Sequence, residues 1–265
     1  MIKPKKSLGQ NFLIDKNIIK KIINIVDIKN KNIIEIGPGS GNLTIEILNK
    51  NPKELIVIEK DSKLCDVLKK KFLLNKNLKI FNDDILNFQI EKNIKKNSII
   101  FGNLPYNIST QILVKLIKLN KWLPNYKFLV LMFQKEVADR ILASDKSSNY
   151  GRLAIIANWR LKVTNSFNIS KNCFYPKPKI DSTVLVFEPV VFKKYKINNL
   201  NNLEKITQIF FSNKRKMINK PLKKIFTNVN LIKDKLNINL TKRPEDLCKE
   251  KYYEITEYYE KNINK

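Results

Sequence analysis

The sequence predicts an α/β domain built on a largely parallel sheet, followed by a small helical domain. Up to Phe187, short β-branched runs alternate with segments of helical periodicity. Strands that are almost wholly apolar are typical of parallel sheets covered by helices on both faces. After Pro189 the strand pattern fades while helical spacing continues. We therefore expect domains at 1–190 and 191–265.

The elements of the first domain follow from local patterns. Isoleucines at helical spacing after Asp15 predict a helix over 15–26, with Asp15 capping its first turn. Strands are then predicted at 32–36, 55–58, 78–81, 98–101 and 127–133. The helices between and after them are predicted at 43–48, 62–74, 109–119 and 134–142. Two further strands, at 162–167 and 183–187, complete the sheet.

The second domain is predicted to be helical. A pattern from Ile206 continues to Asn219, where Lys220 and Pro221 interrupt it. Further helices are expected at 221–226 and 245–259.

The net charge favours a polyanionic partner. The chain has 51 Lys and Arg against 24 Asp and Glu, a formal charge of +27. Residues 193–235 alone hold 12 basic and 2 acidic residues, and Lys214, Arg215 and Lys216 form the cluster expected to contact RNA. Neutralised phosphates release counterions, which favours binding to nucleic acid. Two alternatives stay open: an A/T-rich genome that enriches lysine, and a merely solvated helix face.

Composition excludes several classes of protein. The chain has no histidine, which excludes the imidazole base of most hydrolytic triads and histidine-dependent metal sites. Its 3 cysteines, Cys65, Cys173 and Cys248, match neither a disulfide framework nor a zinc-finger spacing. The longest apolar run, Phe128 to Phe133, is too short to span a bilayer. We expect a cytoplasmic protein that is not exported, has no membrane anchor and binds no metal.

A glycine-rich stretch, EIGPGSG from Glu35 to Gly41, follows the first of the predicted sheet strands. Glycine lets the backbone turn tightly and lets a ligand approach without a Cβ in the way. The GxGxG spacing differs from the GxGxxG of dinucleotide-binding proteins, and Pro38 removes an amide that a pyrophosphate would use. The loop therefore favours a nucleoside without phosphates.

Two carboxylates end the next two predicted strands. Glu59 is placed to accept both ribose hydroxyls of a nucleoside, and Asp84 to accept a hydrogen bond from an adenine amine. Either residue alone is more often a helix cap or part of a solvated turn. Together, beside a glycine loop, they predict a nucleoside-binding cleft.

The fourth of these strands ends in Gly102-Asn103-Leu104-Pro105-Tyr106. The exocyclic amine of adenine is a poor nucleophile because its lone pair is delocalised into the ring. An Asn103 side-chain oxygen and a nearby backbone carbonyl, both accepting amine hydrogens, would free that lone pair for attack. Pro105 holds the turn rigid and Tyr106 is placed to stack on the base. The corner therefore predicts amine methylation without a general base.

These motifs together resemble the KsgA family of small-subunit ribosomal RNA adenine dimethyltransferases. The likeness runs through segments in the family's order: GQNFL (Gly9 to Leu13), EIGPGSGNLT (Glu35 to Thr44), VIEKD (Val57 to Asp61), GNLPYNIST (Gly102 to Thr110), FQKEVADRI (Phe133 to Ile141), YGRLA (Tyr150 to Ala154), FYPKPKIDS (Phe174 to Ser182) and FFSNKRKMINKPL (Phe210 to Leu222). The resemblance therefore covers essentially the whole chain.

The resemblance implies a fold, a cofactor and a set of site residues. The fold is a Rossmann-like S-adenosylmethionine-dependent methyltransferase domain, with a seven-stranded mixed sheet whose last strand is antiparallel, plus a small all-helical C-terminal domain. The cofactor is S-adenosylmethionine, with S-adenosylhomocysteine as product and no metal. Cofactor contacts are expected at Asn11, Leu13, Gly37, Glu59, Asp84 and Asn103. The catalytic residues are expected at Asn103, Leu104, Pro105, Tyr106 and Phe174.

Tyr106 and Phe174 resemble the family's aromatics that hold the target adenine. Without the family, Phe174 fits a core position equally well. The resemblance also implies a substrate: two adjacent adenosines near the 3′ end of 16S rRNA, in the small ribosomal subunit or its precursor. A role in subunit biogenesis and a monomeric state are expected.

Three other interpretations stay open. A large-subunit rRNA adenine methyltransferase that confers antibiotic resistance would share the glycine loop and the NxPY turn, although GQNFL, Leu104 and Asn107 favour the small-subunit branch. A noncatalytic assembly or transcription factor would retain the fold but not need Asn103, Glu59 and Asp84. A nucleotide-cofactor oxidoreductase is disfavoured by the glycine spacing and by the segment from Asn103 to Tyr106.

Overall fold

The computed structural model describes residues 4–5, 8–191 and 194–262. The chain divides into two compact units, Met1–Ala138 with Lys162–Pro189, and Asp139–Leu161 with Val190–Lys265. The boundary after Pro189 falls at the end of the last sheet strand. The units differ from the predicted domains in one segment, residues 139–161, which packs with the C-terminal helices.

The strands in the described residues are β1 Phe12–Leu13, β2 Asn32–Ile36, β3 Glu54–Glu59, β4 Leu78–Asn82, β5 Ser98–Asn103, β6 Tyr126–Gln134, β7 Leu161–Ile169, β8 Phe174–Tyr175 and β9 Ser182–Pro189. The helices are α1 Lys16–Ile23, α2 Asn42–Asn49, α3 Ser62–Lys71, α4 Ser109–Ile117, α5 Lys135–Leu142, α6 Arg152–Arg160, α7 Leu200–Phe211, α8 Asn219–Lys223, α9 Val229–Leu236 and α10 Lys249–Asn262. None of the described helices is both long and apolar enough to cross a membrane.

One seven-stranded sheet, in the order β4-β3-β2-β5-β6-β9-β7, forms the centre of the first unit. From β4 to β6 the neighbouring strands are parallel, and β9 is antiparallel to β6. The mixed sheet and its antiparallel last strand confirm the predicted fold. The chain moves outward from β2 to β4 and then returns to the other side of β2 as β5. Such a reversal opens a crevice at the carboxyl ends of the strands.

The central strands of the sheet are buried on both faces. Residues 33–36 of β2 and 55–59 of β3 are all buried, and residues 98–102 of β5 likewise. This continuous burial agrees with the almost wholly apolar strand sequences, from which a parallel sheet covered on both faces was predicted. Beside it, α1 begins where Asp15 accepts hydrogen bonds from the backbone N–H groups of Asn17 and Ile18, so the predicted cap is confirmed.

A second, two-stranded sheet pairs β1 with β8, and the sequence did not predict it. The strands are antiparallel, with Phe12 opposite Tyr175 and Leu13 opposite Phe174. Each strand has two residues, too few to show a period. Their pairing fixes the segment before α1 beside the segment that leads into β9.

Aromatic residues form the core of the second unit. The Trp159 ring on α6 lies 4.7 Å from that of Tyr253 on α10, whose hydroxyl donates to the carbonyl of Ile155 at 2.9 Å. Phe210 on α7 packs edge-on against Tyr252, with ring centroids 5.3 Å apart. These contacts explain why the segment of α6 belongs to this unit.

Several helices of the second unit differ from the predictions. The structure adds α6 and α9, which were not predicted. The pattern extended to Asn219 was wrong, because α7 begins at Leu200 and ends at Phe211, with Ser212 as its C-cap. The helix expected over 221–226 is α8, which contains Pro221 near its start, where proline is tolerated. The last helix begins at Lys249, after a short 3-10 turn at Pro244–Asp246.

Candidate active site

A cleft opens at the carboxyl ends of β2, β3, β4 and β5, at the point where the strand order reverses. Its lining includes, among others, residues 8–13, 35–40, 58–60, 83–86 and 102–108. Every predicted cofactor residue, namely Asn11, Leu13, Gly37, Glu59, Asp84 and Asn103, lies in this lining. So do Leu104, Pro105 and Tyr106. Residues distant in sequence therefore meet where the fold predicts a ligand.

Gly37 and Gly39, in the loop after β2, both have left-handed backbone conformations, with φ of +69° and +56°. The two positions require glycine for different reasons. A Cβ on Gly39 would lie 2.8 Å from the ring of Phe12, inside contact distance. A Cβ on Gly37 would meet no described protein atom closer than the Asn103 carbonyl oxygen at 3.5 Å. The space beside Gly37 belongs to the cleft, as expected where a ligand approaches the backbone.

Glu59 ends β3 with its carboxylate held in place. Oε2 accepts from the N–H of Gly39 at 3.1 Å, and Oε1 accepts from the N–H of Asp61 at 2.9 Å. The residue is 6% exposed, and burial raises the pKa of its carboxyl. A carboxylate has about four acceptor positions. Capacity therefore remains for two ribose hydroxyls.

Glu35 is a second, more deeply buried carboxyl at the cleft. It is 1% exposed and its Oε2 accepts from the hydroxyl of Thr44 at 2.7 Å. Burial raises the pKa of this carboxyl to about 8, and the nearby Glu59 adds to the shift. Glu35 therefore holds a proton at neutral pH. The sequence indicated the glycine loop but not this protonation.

Asp84 follows β4 and is held by side-chain and backbone donors. Lys60 Nζ lies 2.8 Å from Oδ2, and the N–H of Leu86 donates to Oδ1 at 2.9 Å. The Lys60 hydrogen bond is the main cause that lowers the pKa of Asp84. Lys115 on α4 donates to the carbonyls of Leu86 and Phe88, at 2.7 and 2.8 Å. The loop that presents Asp84 is thus tied to the helix after the Asn103 corner.

The carboxamide of Asn103 has a fixed orientation. Its Nδ2 donates to the backbone carbonyl of Asn11 at 2.9 Å. A carbonyl only accepts, so this contact identifies the nitrogen end of the amide. The oxygen end is therefore turned away from Asn11 and is available to accept a hydrogen bond.

Tyr106 is held at its hydroxyl. The oxygen lies 2.8 Å from the hydroxyl of Ser182, at the start of β9. Burial raises the pKa of this phenol, so it stays protonated at neutral pH. The backbone carbonyl of Tyr106 accepts from Ser109 in the first turn of α4 at 3.2 Å. Leu104 is almost wholly buried beneath the turn. The corner is therefore anchored to two elements.

Phe174 is the one predicted site residue that the structure does not bring to the cleft. Its side chain is 3% exposed and packs in the hydrophobic core with Leu13. The register of β1 and β8 turns Phe174 and Leu13 to the same, buried face. Phe174 therefore occupies a core position, which was one of its two interpretations. Its contact with the target adenine stays a prediction.

Sequence reasoning missed several residues that support the cleft. Ser182 was noted within a motif but given no role, and Lys115 was not singled out. Gln10, which lines the cleft, donates from Nε2 to Asp61 Oδ2 at 3.2 Å. Their signal was their place within the GQNFL and VIEKD segments. In the part of the chain that the structure describes, no three His, Cys, Asp or Glu side chains gather as a metal site.

Similarity to known proteins agrees with the fold. Residues 1–261 match the family described as ribosomal RNA adenine dimethylase. A Pelagibacter ubique protein named ribosomal RNA small subunit methyltransferase A is 48% identical over 265 residues, or 98% of each chain. A Wolbachia protein of the same name, from the Drosophila simulans strain wRi, is 40% identical over 95% of this chain and 92% of its own length.

Solved structures add to this result. The crystal structure of a dimethyladenosine transferase from Plasmodium falciparum aligns with a TM-score of 0.78 and 29% identity, over 95% of this chain and 98% of that one. The 23S rRNA methyltransferase ErmE aligns with a TM-score of 0.67 over 94% and 99%, and at 19% identity it shows the shared fold alone. From the family match and the 48% identical relative, the chain belongs to the ribosomal RNA adenine dimethylase family.

Proposed function

We propose that this enzyme dimethylates the exocyclic amines of two adjacent adenosines near the 3′ end of 16S rRNA, in the small ribosomal subunit or its precursor. Family membership supports dimethylation of rRNA adenine, and the names of the relatives support the small subunit. The observation that carries the proposal is the bond from Asn103 Nδ2 to the Asn11 carbonyl, which presents the amide oxygen as an acceptor.

The cleft fits S-adenosylmethionine, the methyl donor that the methyltransferase family and fold imply. When bound, this cofactor supplies an electrophilic methyl group on a sulfonium sulfur. Glu59 would accept the ribose hydroxyls, Asp84 would receive the adenine amine, and Gly37 leaves room for close approach. Asn11, Leu13 and Asn103, which also line the cleft, would complete the contacts.

Asn103 would also orient the target amine. Its Oδ1 and a backbone carbonyl of the Leu104-Pro105 turn would accept the two amine hydrogens, which withdraws the nitrogen lone pair from the ring. Tyr106, with its hydroxyl fixed on Ser182, would stack on the base after the adenine leaves its own stack. Most of the rate enhancement would then come from the positioning of the target amine against the methyl group. The chain need supply no general base, because a methylated amine of this kind loses its proton readily to water.

The direct test is mass spectrometry of ribosomal RNA before and after incubation with the enzyme and S-adenosylmethionine. Unmethylated small subunits and large subunits are tested separately. We expect dimethylation of two neighbouring adenosines in 16S rRNA and none in large-subunit RNA. Methylation confined to the large subunit would instead establish the resistance-type activity. Absence of cofactor binding by calorimetry would indicate a noncatalytic factor.

The same proposal includes the setting of the enzyme. We infer that the enzyme acts in the cytoplasm as a monomer and has a role in subunit biogenesis. Analytical ultracentrifugation of the protein alone tests the monomeric state.

A further inference from the structure

The wall of the cleft formed by residues 8–13, here called the N-terminal segment, is held mainly by long-range contacts. Its one strand is the two-residue β1, yet the segment supplies Asn11, whose carbonyl orients Asn103, and Leu13, which lines the cleft. A segment with so little regular structure needs an anchor to keep a fixed position against the sheet.

Asp61 makes the contacts of such an anchor. Its side chain is 4% exposed. Oδ1 accepts from Lys5 Nζ at 2.8 Å and from the backbone N–H of Lys63 at 3.1 Å, while Oδ2 accepts from Gln10 Nε2 at 3.2 Å. Burial alone would raise the pKa of this carboxyl, but the bonds from Lys5 and Gln10 outweigh burial and hold the pKa low. Asp61 is therefore a buried anion supplied with donors.

Gln10 connects this anion to the segment. Its Oε1 accepts from the backbone N–H of Lys5 at 2.7 Å, while its Nε2 donates to Asp61. The next residue is Asn11, whose carbonyl receives Asn103 Nδ2. Asp61 also contacts Glu59, because the backbone N–H of Asp61 donates to Glu59 Oε1. Asp61 thus lies between the predicted ribose acceptor and the segment that orients Asn103.

We propose that Asp61, acting through Gln10, is a positioning residue that holds the N-terminal segment over the cofactor cleft and keeps the Asn103 amide in its reactive orientation. Neither residue touches the reacting atoms. The inference deepens the proposed function, and its cofactor-binding readout does not depend on which RNA is methylated.

The decisive variant is Gln10→Glu, which replaces the donor facing Asp61 with a second carboxylate and leaves the Lys63 cap of α3 intact. Opposed carboxylates repel, whereas a hydrogen bond to a charged group stabilises, so we expect the Kd for S-adenosylhomocysteine to rise about tenfold or more. We expect kcat on small subunits to fall as well, with the KM for subunits unchanged. Hydrogen exchange at residues 8–13 should become faster.

The double variant Gln10→Glu with Asp61→Asn restores the contact with donor and acceptor exchanged. We expect its Kd and kcat to return to within about threefold of the original values. Glu54→Gln is the matched control. Glu54 is a carboxylate paired with Lys79 and Lys95, at the opposite end of β3 from Glu59. It should change neither value.

Unchanged cofactor affinity in Gln10→Glu, or a double variant no better than Gln10→Glu, would overturn the proposal. If Gln10→Glu fails to fold, Gln10→Ala removes the same bond without adding charge, and an unchanged Kd there would be equally contrary. If calorimetry shows the expected loss and recovery but 16S rRNA is not a substrate, the anchor stands and the proposed RNA target falls.

Discussion

At the scale of single residues, the carboxamide of Asn103 offers the sharpest mutational test. We predict that Asn103→Ala lowers methyl transfer by about a hundredfold or more, because a preorganised acceptor at the reacting group is lost. Binding of the small subunit should stay nearly unchanged. The measurement is tritium transfer to unmethylated small subunits, beside a filter-binding assay. Asn103→Asp keeps the size of the side chain but opposes the Asn11 carbonyl, so it should also fail. Full activity in Asn103→Ala would refute the orienting role.

Glu35 gives a prediction about pH. Its pKa is about 8 in the folded protein against a usual 4.5, so the folded state binds the extra proton. The stability that protonated Glu35 contributes is fully present below pH 4.5, the pKa of this group in the unfolded chain. It is lost as the pH rises from there through 8. In that window the free energy of unfolding should fall by up to about 1.4 kcal/mol per pH unit because of this group.

Glu35→Gln isolates the effect, since Gln still accepts from Thr44 but cannot ionise. Urea unfolding of both proteins from pH 5 to pH 9 provides the comparison. The stability of Glu35→Gln relative to the original should increase as pH rises to about 8 and then level off, and two parallel curves would show that the pKa of Glu35 is not raised in the folded protein.

The sequence located site residues that lie at the end of a strand or just after it, and missed those whose role depends on register. Glu59, Asp84 and Asn103 were predicted because strands of a parallel sheet end at one edge. The contact of Ser182 with Tyr106 arises because β9 runs antiparallel to β6, with Ser182 opposite Gln134. Nothing local to residue 182 encodes that pairing.

At the scale of elements, the glycine loop after β2 separates two functions of glycine. Alanine at either position takes on a left-handed conformation, which costs about 1–2 kcal/mol. We predict that Gly39→Ala lowers the melting temperature further than Gly37→Ala, because its Cβ would strike the Phe12 ring. Gly37→Ala should instead lose more S-adenosylhomocysteine affinity than its stability loss explains, because its Cβ enters the cleft.

Thermal unfolding without ligand and calorimetric binding distinguish the two variants of the loop. If Gly37→Ala and Gly39→Ala lost ligand affinity equally and had equal melting temperatures, the two glycines would not have the different functions proposed. Unchanged affinity in Gly37→Ala would remove Gly37 from the cofactor contacts.

Elements were predictable where a period or a β-branched run exists. The five parallel strands were predicted for this reason. By contrast, α6 carries buried residues in an unbroken run from Ala154 to Ala157, so no amphipathic period marks it. The extension of α7 to Asn219 failed because apolar spacing continued past Ser212, whereas Met217 is 57% exposed. Strands β1 and β8 exist only through their mutual pairing.

At the scale of the whole molecule, the excess positive charge lies largely on solvated side chains, but some lysines have internal roles. Lys214 donates to the carbonyl of Ser148 at 2.6 Å and pairs with Glu245 at 2.9 Å, both within the second unit. Its neighbours Arg215 and Lys216 are exposed. Within this basic cluster, the two exposed residues are therefore better candidates for RNA contact than Lys214.

We predict that reversing Arg215 and Lys216 together to Glu weakens binding to small subunits and reduces its salt dependence. Each phosphate contact contributes roughly 0.7 to 0.9 to the slope of log affinity against log salt, so losing two contacts lowers the slope by about 1.5.

Lys69→Glu with Lys70→Glu is the matched control, with the same charge change at exposed positions of α3. A general electrostatic effect would weaken both double variants alike, whereas an interface at the basic cluster affects only the first. Identical slopes across salt for Arg215→Glu/Lys216→Glu and the original protein would exclude the cluster from the RNA interface, since contacts with phosphate cannot be lost without changing the number of ions released.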